Sequence, residues 1–362
     1  MISSAPAPNP APAASNGVGV AAGRPDALVV VENLVKHYKG GQAQVVRAVD
    51  GVSFTIRRGE TFGLVGESGS GKSTVARTIL RLHEPTSGRV TFDGVDLGSL
   101  GSAELRRQRR LMQIVFQDPF ASVNRRKTLT EIIAGPLIFQ GERDKRKIQA
   151  RTSRLFDLVG LPQAYAHRHP HEISGGQCQR VGIARALALE PSFVILDEAV
   201  SSLDVSVRSQ ILNLLKHLQR ELGLTYMFVS HDLAIVRYMA DDLAVMYAGR
   251  IAEVGPREEL FHRPQHPYTH ALMGAIPVPD PDRERAKAKV LTLDTAGQAV
   301  NLAGCRYAPR CPIGRAQDVC ATQDPALTAV GDGHVVACHF PQSAENIAAA
   351  AAAAAPADHL VT

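Results

Sequence analysis

Gly66-Glu67-Ser68-Gly69-Ser70-Gly71-Lys72-Ser73 is a complete G-x-x-x-x-G-K-[ST] phosphate-binding loop. Its flanks suit it: Thr61-Phe62-Gly63-Leu64-Val65 reads as a short buried strand, and Thr74 to Leu82 has helical periodicity with no breaker. Glycines let successive backbone N–H groups curl around a polyphosphate, while the helix N-terminus adds partial positive charge. In such a loop Lys72 reaches the β- and γ-phosphates and the Ser73 hydroxyl holds Mg²⁺.

Working outward, the chain has 362 residues, 45% hydrophobic and 21% charged, which suggests about two domains and at least one large core. It contains no run of eighteen apolar residues, so it is not expected to span a bilayer by itself. The net charge of +5 raises the question of a nucleic-acid or acidic-lipid partner, but the basic residues are scattered through 106–110, 125–127 and 142–151 in the manner of solvated faces. Residues 1–25, rich in Ala, Pro, Ser and Gly, read as a disordered tail and not as a secretion signal. Residues 343–362, with an unbroken alanine run from Ala348 to Ala355, read as a second such tail.

Between the tails, Ala27–Val35 and Val45–Ile56 are strand-like and joined through Gly40-Gly41, which predicts a small antiparallel sheet ahead of the phosphate loop. Tyr38 is placed there either to stack on a base or to cover the sheet. Leu111–Phe116 is a short strand ending at Gln117, and Leu129 to Leu189 is helical in pattern. Phe193–Leu196 is a buried strand ending at Asp197 and Glu198, and Tyr226–Ser230 is another ending at His231. Ala244–Tyr247 and Arg250–Val254 form a hairpin through Ala248-Gly249. Apolar strands alternating with helices predict an α/β fold with a mostly parallel sheet covered on both faces.

Open parallel sheets place ligands at strand ends, so Asp197 pairs with Ser73 as a candidate Mg²⁺ ligand. Glu198 is placed to polarise an attacking water. His231 and Gln117 can approach the γ-phosphate, Gln117 through Mg²⁺ or that water. Two acids after a strand can equally cap a helix, and the upstream phosphate loop tips the balance toward chemistry. Ser174-Gly175-Gly176-Gln177 then forms a second backbone cup at the start of a helix.

That second cup resembles the L-S-G-G-Q signature of the ATP-binding cassette (ABC) family, in which two ATPase domains meet head to tail. The signature of one closes over the ATP held by the other. The resemblance runs from about Ala27 to Leu260. It makes Tyr38 the base-stacking aromatic, and Gly66, Glu67, Ser68, Gly69, Ser70, Gly71, Lys72, Ser73 and Thr74 the Walker A stretch. It makes Gln117 the Q-loop glutamine, Ser174–Gln177 the signature, Asp197 the Walker B acid, Glu198 the catalytic base, Ser202-Leu203-Asp204 the D-loop and His231 the switch histidine. Ile173, Cys178 and Ala199 depart from the family pattern without removing a catalytic group. The implied fold is a P-loop NTPase of ABC type, with a RecA-like core, an antiparallel β subdomain and a helical signature subdomain at about 118–182. It would occupy residues 26–260, followed by a small cysteine-containing extension at 261–342.

Phe116–Asn124, Tyr226–Leu233 and above all Pro264-Gln265-His266-Pro267-Tyr268-Thr269 resemble the ATP-binding subunits of bacterial oligopeptide and dipeptide importers, with Glu84–Gly88 and Val65–Thr74 more like the F-type subunit. The resemblance implies an ATPase at the cytoplasmic face of the inner membrane. It would be paired with a second, different ATPase subunit beneath two permeases, with an extracellular solute-binding protein and no nucleic acid. Close relatives of that group carry nickel or other small solutes, and a nucleic-acid ATPase of ABC type is the alternative from another class. Cys305, Cys311, Cys320 and Cys338 fall in one segment spaced C-x5-C-x8-C-x17-C. The importer resemblance implies a [4Fe–4S] cluster there, while zinc and four unligated thiols remain open readings.

Overall fold

Apolar runs without a polar break belong in strands covered on both faces. The computed structural model describes residues 26–40, 45–276 and 300–341; the expected tails and Gly41 of the expected turn lie outside the described residues. In chain order the first half comprises β1 (Ala27–Lys39), β2 (Val45–Arg57), β3 (Thr61–Val65), α1 (Lys72–Ile79), β4 (Ser87–Phe92), β5 (Val95–Asp96), α2 (Ser102–Leu111), β6 (Met112–Val115), α3 (Leu129–Phe139) and α4 (Lys145–Leu158). The second half comprises α5 (Gly175–Leu187), β7 (Phe193–Asp197), α6 (Val205–Leu222), β8 (Thr225–Ser230), α7 (Leu233–Met239), β9 (Asp242–Tyr247), β10 (Arg250–Pro256), α8 (Arg257–His262) and α9 (Pro267–Gly274). A late hairpin, β11 (Thr328–Gly331) and β12 (His334–Val336), follows.

Eight strands form the main sheet in the order β11-β12-β10-β9-β3-β8-β7-β6, and β3 pairs in parallel with both β8 and β9. The pleat sends alternate residues to opposite faces, and both faces are buried. Phe62 and Leu64 of β3, Phe193 and Ile195 of β7, Met227 and Val229 of β8 and Ala244 and Met246 of β9 enter one core, shared with α1 and with β1, β2 and β4. Val65, Val194, Leu196, Tyr226, Phe228, Leu243 and Val245 enter the other, beneath the helices. This is why those strands read as continuous apolar runs. Gly63 has a separate reason to be small: a Cβ there would sit 2.8 Å from Val236 Cγ1 of α7, so the helix lies directly on the strand.

The four-stranded sheet, ordered β2-β1-β4-β5, extends the expected pair. Its first two strands run on to Lys39 and Arg57 because they pair along most of their length, which places Tyr38 inside β1. The β4–β5 pair carried no clear sequence signal, since Ser87-Gly88-Arg89 opens β4 with exposed, non-apolar residues. At the other end, Leu111 completes α2 and shortens the expected strand to Met112–Val115.

The late hairpin docks through β12 on the edge of β10, pairing Glu253 with Val336 and Val254 with Val335. It is fastened by Glu253, a fully buried carboxylate. Glu253 accepts hydrogen bonds from His334 Nε2 at 2.7 Å and from the backbone N–H groups of Gln265 and His266 at 2.8 and 3.0 Å. His266 in turn caps α9, its Nδ1 accepting from the Tyr268 N–H at 3.0 Å. Burial pushes the His266 imidazole down to about 4, with Glu253 opposing. A native value below the unfolded one means the unfolded chain takes the proton first, so stability falls as pH drops from about 6.5 toward 4. Urea unfolding should show this group costing about 2 kcal/mol between pH 7.5 and pH 5. His266→Asn, which keeps a capping acceptor, should remove that part of the slope; an unchanged slope would show that His266 is not its source.

Candidate active site

The phosphate loop can exist only because two glycines accept contacts no side chain would survive. Gly66, at φ 152°, would place a Cβ 2.1 Å from the Met246 carbonyl oxygen. Gly71, at φ 106°, would place one 2.1 Å from the Ala48 carbonyl. The loop is thus pressed between the β9 end of the main sheet and β2 of the smaller one. Its carbonyl at Ser70 accepts from the Gly249 N–H at 2.9 Å, which ties it to the β9–β10 turn.

Lys72 sits inside this loop, 4% exposed. Its ammonium donates to the carbonyl oxygens of Gly66 and Glu67, each at 2.8 Å, and more weakly to Ser70 Oγ at 3.4 Å. Burial lowers its pKa, while the carboxylates of Glu198, Asp197 and Glu67 hold it back. A cation held by neutral loop oxygens can exchange them for phosphate oxygens without losing a full ion pair.

Ser73 and Asp197 are brought together as expected: Ser73 Oγ donates to Asp197 Oδ1 at 2.8 Å across 124 residues of chain. Burial pushes the Asp197 carboxyl up, the Ser73 hydrogen bond and the Arg77 charge pulling the other way; Arg77 Nη2 stands 3.9 Å from Asp197 Oδ2. A hydroxyl and a carboxylate already in contact are hard oxygen donors of the type that suits Mg²⁺. Glu198, the next residue, is displaced from strand geometry at φ 50° with its N–H held by the Val229 carbonyl at 3.0 Å. A non-glycine residue held in the left-handed region at a strand end is a strained position of the sort that collects at functional sites. There its carboxylate meets His231 Nδ1 at 3.3 Å, joining two residues the sequence reading had assigned separately.

The remaining expected residues are more dispersed. Tyr38 lies at the rim, its hydroxyl 2.6 Å from His83 Nδ1 and Lys36 Nζ 5.0 Å from its ring centroid. Gln117 is exposed, and its carbonyl accepts from Ser202 Oγ at 3.2 Å, so what joins it to the site is the D-loop. Ser174 and Gln177 close on each other as a capping box opening α5: the Gln177 N–H donates to Ser174 Oγ and the Ser174 N–H to Gln177 Oε1. Gly175 lies against Phe120 and Leu203, and Gly176 against Val207. Cys178, one turn on, is fully buried as a small apolar residue, and burial pushes its thiol up to about 11.

The structure adds residues the sequence reading missed. Asp50 of β2 is a hub for His37 Nε2 at 2.8 Å and for Arg47, Arg250 and Arg306. Burial raises its carboxyl, and the His37 hydrogen bond with the arginine charges outweighs that and holds it low. Two of its arginines, Arg250 and Arg306, lie far along the chain. Only folding shows them to be partners.

The four late cysteines line one small cavity of about 10 Å³ with His266, Tyr307 and Gly314. Gly314 makes room, since a Cβ there would be 3.2 Å from Cys320 Sγ and 3.3 Å from Cys311 Sγ. Four thiols are the right donors for a thiolate-ligated metal. In this arrangement, however, no group of three or more His, Cys, Asp or Glu among the described residues is gathered as a metal site.

Residues 49–201 match the family described as ABC transporter, and residues 252–320 match the family described as oligopeptide/dipeptide transporter, C-terminal region. A putative peptide import ATP-binding protein of Brucella ovis is 50% identical over 311 residues, covering 86% of this chain and 97% of its own. The oligopeptide transport ATP-binding protein AppF of Bacillus subtilis is 46% identical over 297 residues, 82% of this chain and 90% of its own. Among solved structures, the ATP-binding cassette MJ0796 in a post-hydrolysis dimer bound to ADP and phosphate is 32% identical with a TM-score of 0.58, covering 64% of this chain and 99% of that one. Cys305, Cys311 and Cys320 fall within the match to the C-terminal region family, and Cys338 lies beyond it.

Burial pushes the Cys305 thiol up to about 11 and the Cys338 thiol up to about 12. In metal-free folded protein at pH 8, alkylation of these two should therefore run at least about 100-fold slower than that of an exposed cysteine, because only the thiolate reacts. Peptide mapping of iodoacetamide adducts reads the rate, and fast labelling would show that the four-thiol cavity opens in solution.

Proposed function

This chain belongs to the ATP-binding subunits of ABC transporters, and from that premise we propose that it is the ATP-hydrolysing subunit that powers peptide import across the bacterial cytoplasmic membrane. The observation that carries the reading is the convergence on one loop of Lys72, the Ser73–Asp197 contact at 2.8 Å and the Glu198–His231 contact at 3.3 Å. No helix among the described residues is long and apolar enough to cross a membrane; in the proposed importer the permeases are separate chains.

In the proposed mechanism Lys72 exchanges its loop carbonyls for β- and γ-phosphate oxygens as ATP enters. Ser73 and Asp197 would hold Mg²⁺, with Gln117 as a further ligand once the site closes, and the bound ion supplies charge neutralisation for phosphoryl transfer. Glu198 orients and deprotonates the attacking water. His231, held by Glu198, donates toward the charge developing on the γ-phosphate. Tyr38 stacks on the adenine. Ser174, Gly175, Gly176 and Gln177 serve the ATP of a partner subunit, an assignment that rests on the match of this segment to the family signature.

The partner arrangement follows from the same reading. We assign residues 26–260 to the ATPase domain and 261–342 to the importer-type extension, with a second, non-identical ATPase subunit opposite and two permeases above, at the cytoplasmic face. The cleft between α2 and α3, about 760 Å³ and lined by Arg106, Arg109, Gln113, Pro136 and Phe139, is the surface we assign to a permease. It presents Phe139, 68% exposed, with the Arg106 guanidinium 4.2 Å from its ring centroid. Cys305, Cys311, Cys320 and Cys338 are the thiols a [4Fe–4S] cluster would need, but among the described residues they are not gathered as a metal site, and no step of hydrolysis is routed through them.

Glu198→Gln should lower ATP turnover at least about 100-fold in membranes co-expressing the neighbouring subunits, with nucleotide affinity kept, because it removes the base while preserving size and hydrogen bonding. Turnover within a few-fold of wild type would show that Glu198 is not the base. ATPase activity equally high without the membrane partners would sever the tie to transport.

A further inference from the structure

The segment Pro267-Tyr268-Thr269 and the turn Tyr307–Arg310 have no part in the hydrolysis just described, yet both reach the phosphate loop. We propose that Tyr268 and Arg310 are positioning residues for that loop, so that the C-terminal extension sets nucleotide affinity in the same chain. The proposal rests on the reading of Gly66–Ser73 as the ATP site.

The contact point is Glu67, the second residue of the loop. Its backbone N–H donates to the Tyr268 hydroxyl at 3.0 Å, and its carboxylate takes Arg310 Nη1 at 3.0 Å. The N–H of Glu67 and the carbonyl of Gly66 belong to one trans peptide, so they point in opposite directions. By drawing the N–H outward, Tyr268 turns the Gly66 carbonyl inward, where it receives Lys72 Nζ at 2.8 Å. Without the hydroxyl, the Lys72 ammonium on the Gly66 carbonyl is what remains among these contacts to hold the peptide against a flip at a glycine. A flipped peptide removes one of the two carbonyls that aim Lys72.

Both clamping residues are themselves well held. Tyr268 is 2% exposed, with its ring centroid 4.7 Å from that of Tyr247 and 5.3 Å from that of Tyr307. Its hydroxyl is the polar tip of an otherwise apolar cluster, and the Glu67 N–H satisfies it. Arg310 lies 5.7 Å from the ring centroids of Tyr247 and Tyr307. It is presented by a turn in which the Arg310 N–H donates to the Tyr307 carbonyl at 2.9 Å, between Cys305 and Cys311. The same turn places Arg306 on Asp50 and on the Ala248 carbonyl, beside the Gly249 N–H that binds the loop at Ser70. The extension therefore holds the loop at its first turn and braces the β-turn behind it.

The test uses the full-length chain for ATP binding and the membrane-assembled complex for turnover. Tyr268→Phe should raise Kd and KM for ATP about five-fold and Arg310→Ala about five- to ten-fold, with kcat within about twofold in each. That is the split expected when loop preorganisation, not the chemical step, is lost. Arg310→Lys should recover part of the affinity. Glu67→Gln combined with Arg310→Ala should cost no more than the larger single change, because both delete one contact. ATP affinity unchanged in Tyr268→Phe and Arg310→Ala, whether or not their melting temperatures fall, overturns the proposal and leaves the clamp as packing alone. Lys72→Ala serves as reference: if it binds ATP as well as wild type, the loop is not the ATP site and the proposal falls with that reading.

Discussion

An ammonium group buried among neutral oxygens is the constraint on which this structure turns. Lys72 is almost wholly withdrawn from water, and its hydrogen bonds among the described residues go to the Gly66 and Glu67 carbonyls and the Ser70 hydroxyl. Desolvation alone would favour losing its proton; the nearby charges of Glu198, Asp197 and Glu67 oppose that. Asp197 shows the opposite bias, its carboxyl raised by the same burial. Burial thus works against the charged form of each group, and a polyphosphate with a divalent cation is the kind of ligand whose charges would favour both.

A loop that must aim carbonyls at a cation in one state and N–H groups at phosphates in the other has to be held from outside. Three structural units do so. The main sheet supplies the Met246 carbonyl against Gly66, the smaller sheet supplies the Ala48 carbonyl against Gly71, and the C-terminal extension reaches Glu67 through Tyr268 and Arg310. The Glu253–His334 contact then fixes the extension to the edge of the main sheet. These parts come from positions as far apart as Ala48 and Arg310: the two sheets press on glycines at positive φ, and the extension holds Glu67 by its backbone N–H and its carboxylate. The loop's shape is therefore a property of the whole fold.

Much of the parallel sheet was legible because its strands are covered on both sides. Phe193–Leu196 and Tyr226–Val229 are buried at every position, and uninterrupted apolar runs are easy to see. The site residues at their ends were legible for a related reason: Asp197, Glu198 and His231 break those runs with charge or a titratable ring. Strand β4 was not legible, since half of it is exposed and it opens on Ser87-Gly88-Arg89. The β11–β12 hairpin was hidden likewise, because β11 is exposed along its length and β12 gains its stability from the edge of β10. Gln117 was readable as a strand-end polar residue, but its contact with the Ser202 hydroxyl, 85 residues on, is set by folding.

By itself, then, the sequence determined the local chemistry: a glycine pattern between a strand and a helix that suits a phosphate loop, acids where apolar strands stop, and a signature-like cup opening a helix. Those are short-range facts, set by which backbone angles and which neighbours along the chain each residue tolerates. Tertiary structure alone decided which distant groups meet. Arg306 on Asp50, Arg310 and Tyr268 on Glu67, and four cysteines around one cavity are pairings across tens to hundreds of residues. No periodicity announces them, because a charged or hydroxylated side chain in a loop looks the same in sequence whether it faces solvent or closes on a partner.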